Sequence, residues 1–133
     1  MRNTHTILID DDHILLFMLS KLIIKNGLHP APMTFESAQD ALDYLYENYN
    51  QTDIFTILLD INMPEVDGWD FLDKAKDVFD ESNFLVFIVS SSINKFDKLK
   101  AETYPMVVSY LEKPIFEDKI QLIKEKVNEK MAM

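Results

Sequence analysis

The chain has 133 residues, no cysteine, and 23 acidic against 13 basic side chains, which give it a formal net charge of −10. The length fits one globular domain, the absence of cysteine excludes disulfides and thiolate chemistry, and the negative charge disfavours nucleic acid and anionic membranes as partners. Because the longest apolar runs have six residues, we expect no membrane insertion and predict a single cytoplasmic domain over 1–133.

Short runs rich in Val, Ile, Leu and Phe alternate along the chain with helical patterns, in which apolar residues recur every three or four positions. Pro30 and Pro32 indicate that the second strand is irregular or lies at an edge, and Asn26-Gly27 is typical of a helix end. In chain order, the predicted elements are a strand at 6–9, a helix at 15–23, a weak strand at 29–35, a helix at 38–46, a strand at 54–59, a helix at 69–79, a strand at 84–89, a polar helix at 95–102, a strand at 107–111 and a helix at 116–127.

Five strands that alternate with five helices predict an α/β fold with a parallel sheet covered on both faces. With right-handed crossovers, the economical arrangement of these elements is a doubly wound sheet. Ligands of such sheets lie beyond the carboxyl ends of the strands, so the residues that follow the strands are the candidates for function.

Acidic residues follow two of the predicted strands. Asp10, Asp11 and Asp12 come directly after the first strand, and Asp60 comes directly after the third. Carboxylates crowded at one edge of a sheet repel each other unless a cation neutralises them, and a hard divalent cation prefers oxygen ligands. The sequence therefore predicts a site for Mg²⁺, or Mn²⁺, at this edge.

Two further polar residues stand at the ends of the fourth and fifth strands. Ser90 ends the fourth strand, and Lys113-Pro114 follows the fifth. A lysine there can pair with Asp60 or with an anion attached to it, and a hydroxyl can donate to the same anion. Together with the acids and the metal ion, these groups suit a phosphoryl group carried on a carboxylate.

Each of these residues also has an ordinary structural explanation. Asp12 precedes a helix and has the residue type of an N-cap, and the serines at 90–92 are typical of a turn. Lys113 alone would be a solvated lysine, and we interpret His13 as a solvent-facing helix start rather than a ligand. Their joint placement at four strand ends favours the functional interpretation.

Four segments of the chain match one family in order and at similar spacing. They read Ile7-Leu8-Ile9-Asp10-Asp11, Leu58-Leu59-Asp60-Ile61-Asn62-Met63-Pro64-Glu65-Val66-Asp67-Gly68, Val89-Ser90-Ser91 and Tyr110-Leu111-Glu112-Lys113-Pro114. On these segments the chain resembles, over essentially its whole length, the receiver domain of a two-component response regulator. The resemblance implies a flavodoxin-like receiver fold with strand order 2-1-3-4-5, without an output domain of its own.

The resemblance also implies a role for individual residues. It makes Asp60 the phosphoacceptor, with Ser90 and Lys113 assisting. The other implied roles are metal ligation by Asp10, Asp11, Asp60 and the backbone carbonyl of Asn62, switching by Ser90 and Tyr110, tuning of the phosphoryl lifetime by Asn62 and Ser92, and a cis peptide bond at Pro114.

By the same resemblance the chain is a single-domain response regulator rather than an enzyme. A sensor histidine kinase or a histidine phosphotransfer protein would supply the phosphoryl group, and a downstream protein would bind the face formed by the fourth helix, fifth strand and fifth helix. Two alternatives within this class are a phosphorelay intermediate and a phosphate sink.

The sequence departs from the family pattern before the fifth strand. Thr103-Tyr104-Pro105-Met106 stands where the family usually has Gly-Ala, which leaves the register into Val107 open. Ser91 also replaces a commonly small Ala. Neither departure removes a residue of the phosphorylation site.

An alternative of another class is an aspartate-nucleophile phosphohydrolase of the haloacid-dehalogenase type. Asp10 would be its nucleophile and Asp12 its acid/base. Ile14 stands where that motif requires Thr, and the sequence offers no cap segment to form a substrate pocket. A flavodoxin-like cofactor binder is less favoured still, because a phosphate-cradling loop would not begin with three acids.

Overall fold

The computed structural model describes residues 2–133, in which five strands alternate with five helices as predicted. The strands are β1 (Thr4–Ile9), β2 (Met33–Phe35), β3 (Ile54–Leu59), β4 (Phe84–Ser90) and β5 (Val107–Glu112). The helices are α1 (His13–Lys25), α2 (Ala38–Asn48), α3 (Gly68–Ala75), α4 (Lys95–Ala101) and α5 (Glu117–Met131). Over the described residues, none of these helices combines the length and the apolar character that a membrane span needs.

The strands form one parallel sheet in the order β2-β1-β3-β4-β5, which confirms the doubly wound α/β fold and its 2-1-3-4-5 order. The short strand β2 lies at the edge, where its two preceding prolines cost no ladder hydrogen bonds. The strand order reverses between β1 and β3. A crevice opens at such a reversal, at the carboxyl ends of these two strands.

Two apolar layers cover the sheet. Every residue of β3 and β4 is buried, because helices pack on both faces of these central strands. Successive side chains of a strand point to opposite faces, so Ile57 packs in the layer under α2 and α3, and Leu58 packs in the layer under α1 and α5. This rigid support fixes where the strand ends lie.

Helix α3 ends earlier than the sequence predicts. We predicted a helix over 69–79, but α3 stops at Ala75 and the chain continues in turns. Phe79 is nevertheless buried and stacks on Phe84, with 4.6 Å between the ring centroids. The helical spacing of apolar residues continues past the end of α3 because the turn places Phe79 in the same core.

The register of β5 contains one irregularity. Val86 pairs with Val107, whereas the next residue, Phe87, pairs with Ser109. One extra residue, Val108, is therefore accommodated in β5 near its start, as in a β-bulge. The register into Val107, which the unusual segment Thr103-Tyr104-Pro105-Met106 leaves open in the sequence, is set by this bulge.

Polar side chains cap the N-termini of α1 and α3, the helices that follow β1 and β3. Asp12 caps α1, because its carboxylate accepts hydrogen bonds from the amides of Ile14 and Leu15, as predicted. Asp67 caps α3 through a reciprocal capping box with Asp70. The two loops that carry acids into the crevice are thus each tied to the helix that follows.

Candidate functional site

The carboxyl edge of the sheet brings together the ends of four strands. Ile9 pairs with Leu59, and the amide of Asp60 donates to the carbonyl of Ile9 at 2.9 Å, so the acids after β1 and β3 are neighbours. On the other side, the amide of Lys113 donates to the carbonyl of Ser90 at 2.9 Å. The backbone ladder therefore places these groups at adjacent strand ends.

The structure gathers three carboxylates at this edge. Ligand oxygens of Asp10, Asp11 and Asp60 all lie within 4.8 Å of one another. Asp10 and Asp60 are buried, with 4% and 5% of their surface exposed, whereas Asp11 is exposed. Among residues 2–133, this is the one group of three or more acidic or histidine side chains arranged closely enough to hold a metal ion.

Lys113 supplies the positive charge inside the group. Its ammonium nitrogen lies 2.9 Å from Oδ2 of Asp10 and 3.6 Å from Oδ2 of Asp60. Burial lowers the pKa of Lys113, but the hydrogen bond to Asp10 and the charge of Asp60 outweigh it, and the pKa is raised overall. Lys113 is therefore a permanent cation at neutral pH.

The charges of the site fit a divalent cation. Three carboxylates and one ammonium leave two negative charges without a partner inside the group. All the available ligands are hard oxygens, which Mg²⁺ and Mn²⁺ prefer. A divalent ion would balance the remaining charge, so the donor set and the electrostatics of these residues fit the ion that the sequence predicts.

Asp60 has an unusual carboxyl group. Its pKa is raised to about 6, mainly by burial; a hydrogen bond from the amide of Asn62 and the charge of Lys113 lower the pKa, and the charge of Asp10 raises it. Its carboxylate is thus poorly solvated and lies beside two other carboxylates, with Lys113 as the nearby cation. Such an oxygen gains more from a nearby cation or from a covalent partner than a solvated carboxylate does.

A chain of hydrogen bonds runs from the acids to α4. The fully buried Ser90 hydroxyl accepts from the side-chain amide of Asn62 at 3.4 Å and from the backbone amide of Ser92 at 3.1 Å. The carbonyl of Ser92 accepts from the hydroxyl of Tyr110 at 2.9 Å. Tyr110 is half-buried and packs against the apolar layer under α2 and α3.

Asp97 extends this chain, although no sequence motif marks it as a site residue. Its Oδ2 accepts a hydrogen bond from the hydroxyl of Ser92 at 2.7 Å. In the sequence, Asp97 is an acid in the first turn of a helix, where acids are ordinary. The serine five residues earlier, in the loop that follows β4, is the one hint in the sequence, and it does not show that the loop brings the two side chains together.

Two other features that the sequence suggested are the side chain of His13 and the peptide bond before Pro114. His13 is exposed over 78% of its side chain and lies 3.6 Å from Glu36, outside the acid group. The peptide bond between Lys113 and Pro114 is cis. The residues that meet in the crevice are therefore Asp10, Asp11, Asp60, Asn62, Ser90 and Lys113.

Gly68 allows the loop after β3 to fold beneath the site. A Cβ atom on Gly68 would lie 2.5 Å from Cα of Ile61 and 2.7 Å from the carbonyl oxygen of Asp60. Both contacts are with backbone atoms and cannot be relieved by a rotamer change. The Asp-Gly pair in the sequence therefore marks a close approach of backbone segments, next to the residue whose carboxylate is central to the site.

Comparison with known proteins gives a family and a set of similar structures. The model of the response regulator receiver domain matches residues 6–125. A two-component response regulator from Cytophaga hutchinsonii is 28% identical, with 97% of this chain and 99% of that chain covered and a TM-score of 0.82. A response regulator receiver protein from Dyadobacter fermentans is 29% identical, with 97% and 98% covered and a TM-score of 0.83.

A CheY-like receiver domain protein from Methanospirillum hungatei shares the fold at 20% identity, with 98% of each chain covered and a TM-score of 0.78. No match was found among curated protein sequences. These matches are to receiver domains and lend no support to the haloacid-dehalogenase alternative. That alternative also needs Asp12 as acid/base, whereas the carboxylate of Asp12 is occupied in capping α1.

Proposed function

The chain belongs to the response regulator receiver domain family of two-component signalling, and on this basis we propose that it is a switch controlled by phosphorylation of Asp60. The observation that carries the proposal is the position of Lys113. Its ammonium group reaches both Asp10 and Asp60, at 2.9 Å and 3.6 Å. The fully buried Ser90 ends the neighbouring strand β4, where its hydroxyl accepts from the side-chain amide of Asn62. An anion attached to Asp60 would find a cation already in place and a hydroxyl at the adjacent strand end.

In the proposed reaction, a carboxylate oxygen of Asp60 attacks the phosphorus of a phosphohistidine. The new P–O bond forms as the P–N bond breaks, the electron pair stays on the imidazole nitrogen, and the imidazole takes up a proton. Lys113 stabilises the charge of the transferred oxygens, and the hydroxyl of Ser90 donates a hydrogen bond to one of them. Hydrolysis of the acyl phosphate would reset the switch, at a rate that Asn62 and Ser92 tune by family analogy.

The same residues are suited to hold Mg²⁺, or Mn²⁺, as cofactor. Asp10, Asp11, Asp60 and the backbone carbonyl of Asn62 would bind it. A bound divalent ion offsets the repulsion between the carboxylates and an incoming phosphoryl group. We expect Asp60 to be stabilised most by this ion, because its carboxylate is buried beside Asp10 and Asp11 and Lys113 offsets only part of the negative charge.

We propose that a sensor histidine kinase or a histidine phosphotransfer protein supplies the phosphoryl group, and that a protein target binds the face of α4, β5 and α5. This face exposes apolar side chains, including Phe96 at 79%, Leu99 at 54% and Val108 at 37%. Exposed apolar side chains on one face favour protein binding. Action as a phosphorelay intermediate or as a phosphate sink uses the same chemistry and stays an alternative.

The receiver family is generally a signalling family rather than an enzymatic one. We accordingly propose that the chain works in the cytoplasm as a single receiver domain over 1–133 and catalyses no turnover of free substrates. Turnover of phosphate esters that depends on Asp10 would contradict this and would favour a phosphohydrolase.

The decisive experiment is phosphate uptake from a small acyl phosphate in the presence of Mg²⁺. Intact-protein mass spectrometry should show one added phosphate on the unchanged chain and none on Asp60→Asn. Asp40→Asn, which removes an exposed carboxylate from the first turn of α2, is the matched control and should be phosphorylated normally. Phosphate uptake by Asp60→Asn would overturn the assignment of the phosphoacceptor.

A further inference from the structure

The loop between β4 and α4 is held from two sides. The hydroxyl of Ser92 donates to the carboxylate of Asp97 at 2.7 Å and accepts from the backbone amide of Asn94 at 3.2 Å. On the other side, the hydroxyl of Tyr110 donates to the carbonyl of Ser92 at 2.9 Å. Four contacts of Ser92, through its amide, its carbonyl and its hydroxyl, therefore fix where this residue lies.

The position of Ser92 decides what the hydroxyl of Ser90 can do. A serine hydroxyl has two lone pairs and one proton. The backbone amide of Ser92 and the side-chain amide of Asn62 both donate to the oxygen of Ser90, so both lone pairs are in use. The hydroxyl of Ser90 can therefore make one further hydrogen bond, as a donor, and an anion on Asp60 could accept it.

Asp97 is not needed to cap its own helix. The N-cap of α4 is Asn94, whose side-chain oxygen accepts from the amide of Phe96 at 2.8 Å. Asp97 follows in the first turn and is half-buried, and its carboxylate is directed to the hydroxyl of Ser92. Its contact with the loop therefore adds a constraint that the capping of α4 does not explain.

We propose that Asp97 is a positioning residue for phosphorylation. Its hydrogen bond with the hydroxyl of Ser92 holds Ser92 where its amide donates to the oxygen of Ser90. The hydroxyl proton of Ser90 is then free to donate a hydrogen bond to the phosphoryl oxygens. This inference rests on the proposed function, because it assigns to Asp97 a part in preparing the same site. Asp97 touches neither the phosphoacceptor nor the metal-site acids and acts through Ser92.

The test compares the unchanged chain with three variants in the rate of phosphate uptake from a small acyl phosphate with Mg²⁺. Asp97→Ala should slow uptake about five- to tenfold, the effect expected from losing roughly one hydrogen bond of ordinary net strength. Asp97→Asn keeps an oxygen that accepts from Ser92 and should restore most of the rate. Asp40→Ala removes an acid from the first turn of α2 instead and should leave the rate unchanged.

A double-variant comparison shows whether Asp97 acts through Ser92. In the Ser92→Ala background the hydroxyl is gone, so adding Asp97→Ala should produce no further decrease. A full additional decrease would overturn the proposed route, as would a normal rate in Asp97→Ala alone. A merely structural contribution of Asp97 would give additive effects.

A second readout needs neither phosphate nor metal. In the unphosphorylated protein, Asp97→Ala should raise the hydrogen-exchange rates of the amides of Ser92 and Asn94, and Asp40→Ala should not. Unchanged exchange would overturn the proposal even if uptake were slower. If the unchanged chain took up no phosphate at all, the proposed function would fail instead, and exchange would still report whether Asp97 holds the loop.

Discussion

At the scale of single residues, two aspartates at opposite ends of the sheet have opposite pKa shifts. Burial raises the pKa of Asp60 at the carboxyl edge to about 6. At the amino edge, hydrogen bonds from His5, from the amide of Asn3 and from the side chain of Asn50 lower the pKa of Asp53 to about 2. The fold thus stabilises the ionised form of Asp53, whereas the surroundings of Asp60 disfavour its ionised form.

Asp53 should therefore contribute stability that depends on pH. Because its pKa is lowered on folding from 3.8 to about 2, its contribution is present above pH 3.8 and is lost as the pH falls toward 2. We expect Asp53→Asn to lower the free energy of unfolding by about 1 kcal/mol at neutral pH, a value discounted for solvent screening. The deficit should shrink in urea titrations as the pH is lowered through 4, and a deficit that stays constant would contradict this origin.

At the scale of elements, the sequence predicted what depends on local pattern and missed what depends on packing. Every strand and helix could be found, because the apolar period differs between them. The end of α3 could not, because Phe79 in the following turn returns to the core and continues the helical period. The extra residue Val108 in β5 was likewise invisible, because a bulge is set by the pairing with β4.

The same distinction applies to the candidate site. That Asp10, Asp60, Ser90 and Lys113 meet could be predicted, since parallel strands bring their carboxyl ends to one edge. The contact of Asp97 with Ser92 could not, because it depends on the course of a loop. Sequence patterns thus locate the residues attached to the sheet, and the structure is needed for those that reach the site from a helix.

The start of α1 offers a test at the scale of one helix. Asp12 accepts from the amides of Ile14 and Leu15, so Asp12→Ala leaves both without this acceptor. We expect a loss of about 1 kcal/mol in the free energy of unfolding, and only a few tenths for Asp12→Asn, since Asn is an equally good N-cap. Equal losses in urea titrations of the two variants would show that the negative charge of Asp12 matters rather than its cap.

At the scale of the whole molecule, the site and the proposed binding face are joined by one hydrogen-bonded path. It leads from Asn62 through Ser90 and Ser92 to Tyr110 on β5 and Asp97 on α4. Strand β2 forms the opposite edge of the sheet, on the far side of β1 from this path. A change of charge at Asp60 should therefore be transmitted to one side of the molecule.

Hydrogen exchange can test this asymmetry directly. With a small acyl phosphate and Mg²⁺ in excess, we expect exchange to change in α4, in β5 and in the loop between β4 and α4, because adding a dianion at Asp60 alters the partners of Ser90. Exchange in α2 should stay unchanged. Tyr110→Phe removes the hydroxyl that donates to Ser92 and should reduce the change in β5. A response spread equally over α2 and α4 would contradict transmission along this path, because it would indicate a general change in stability.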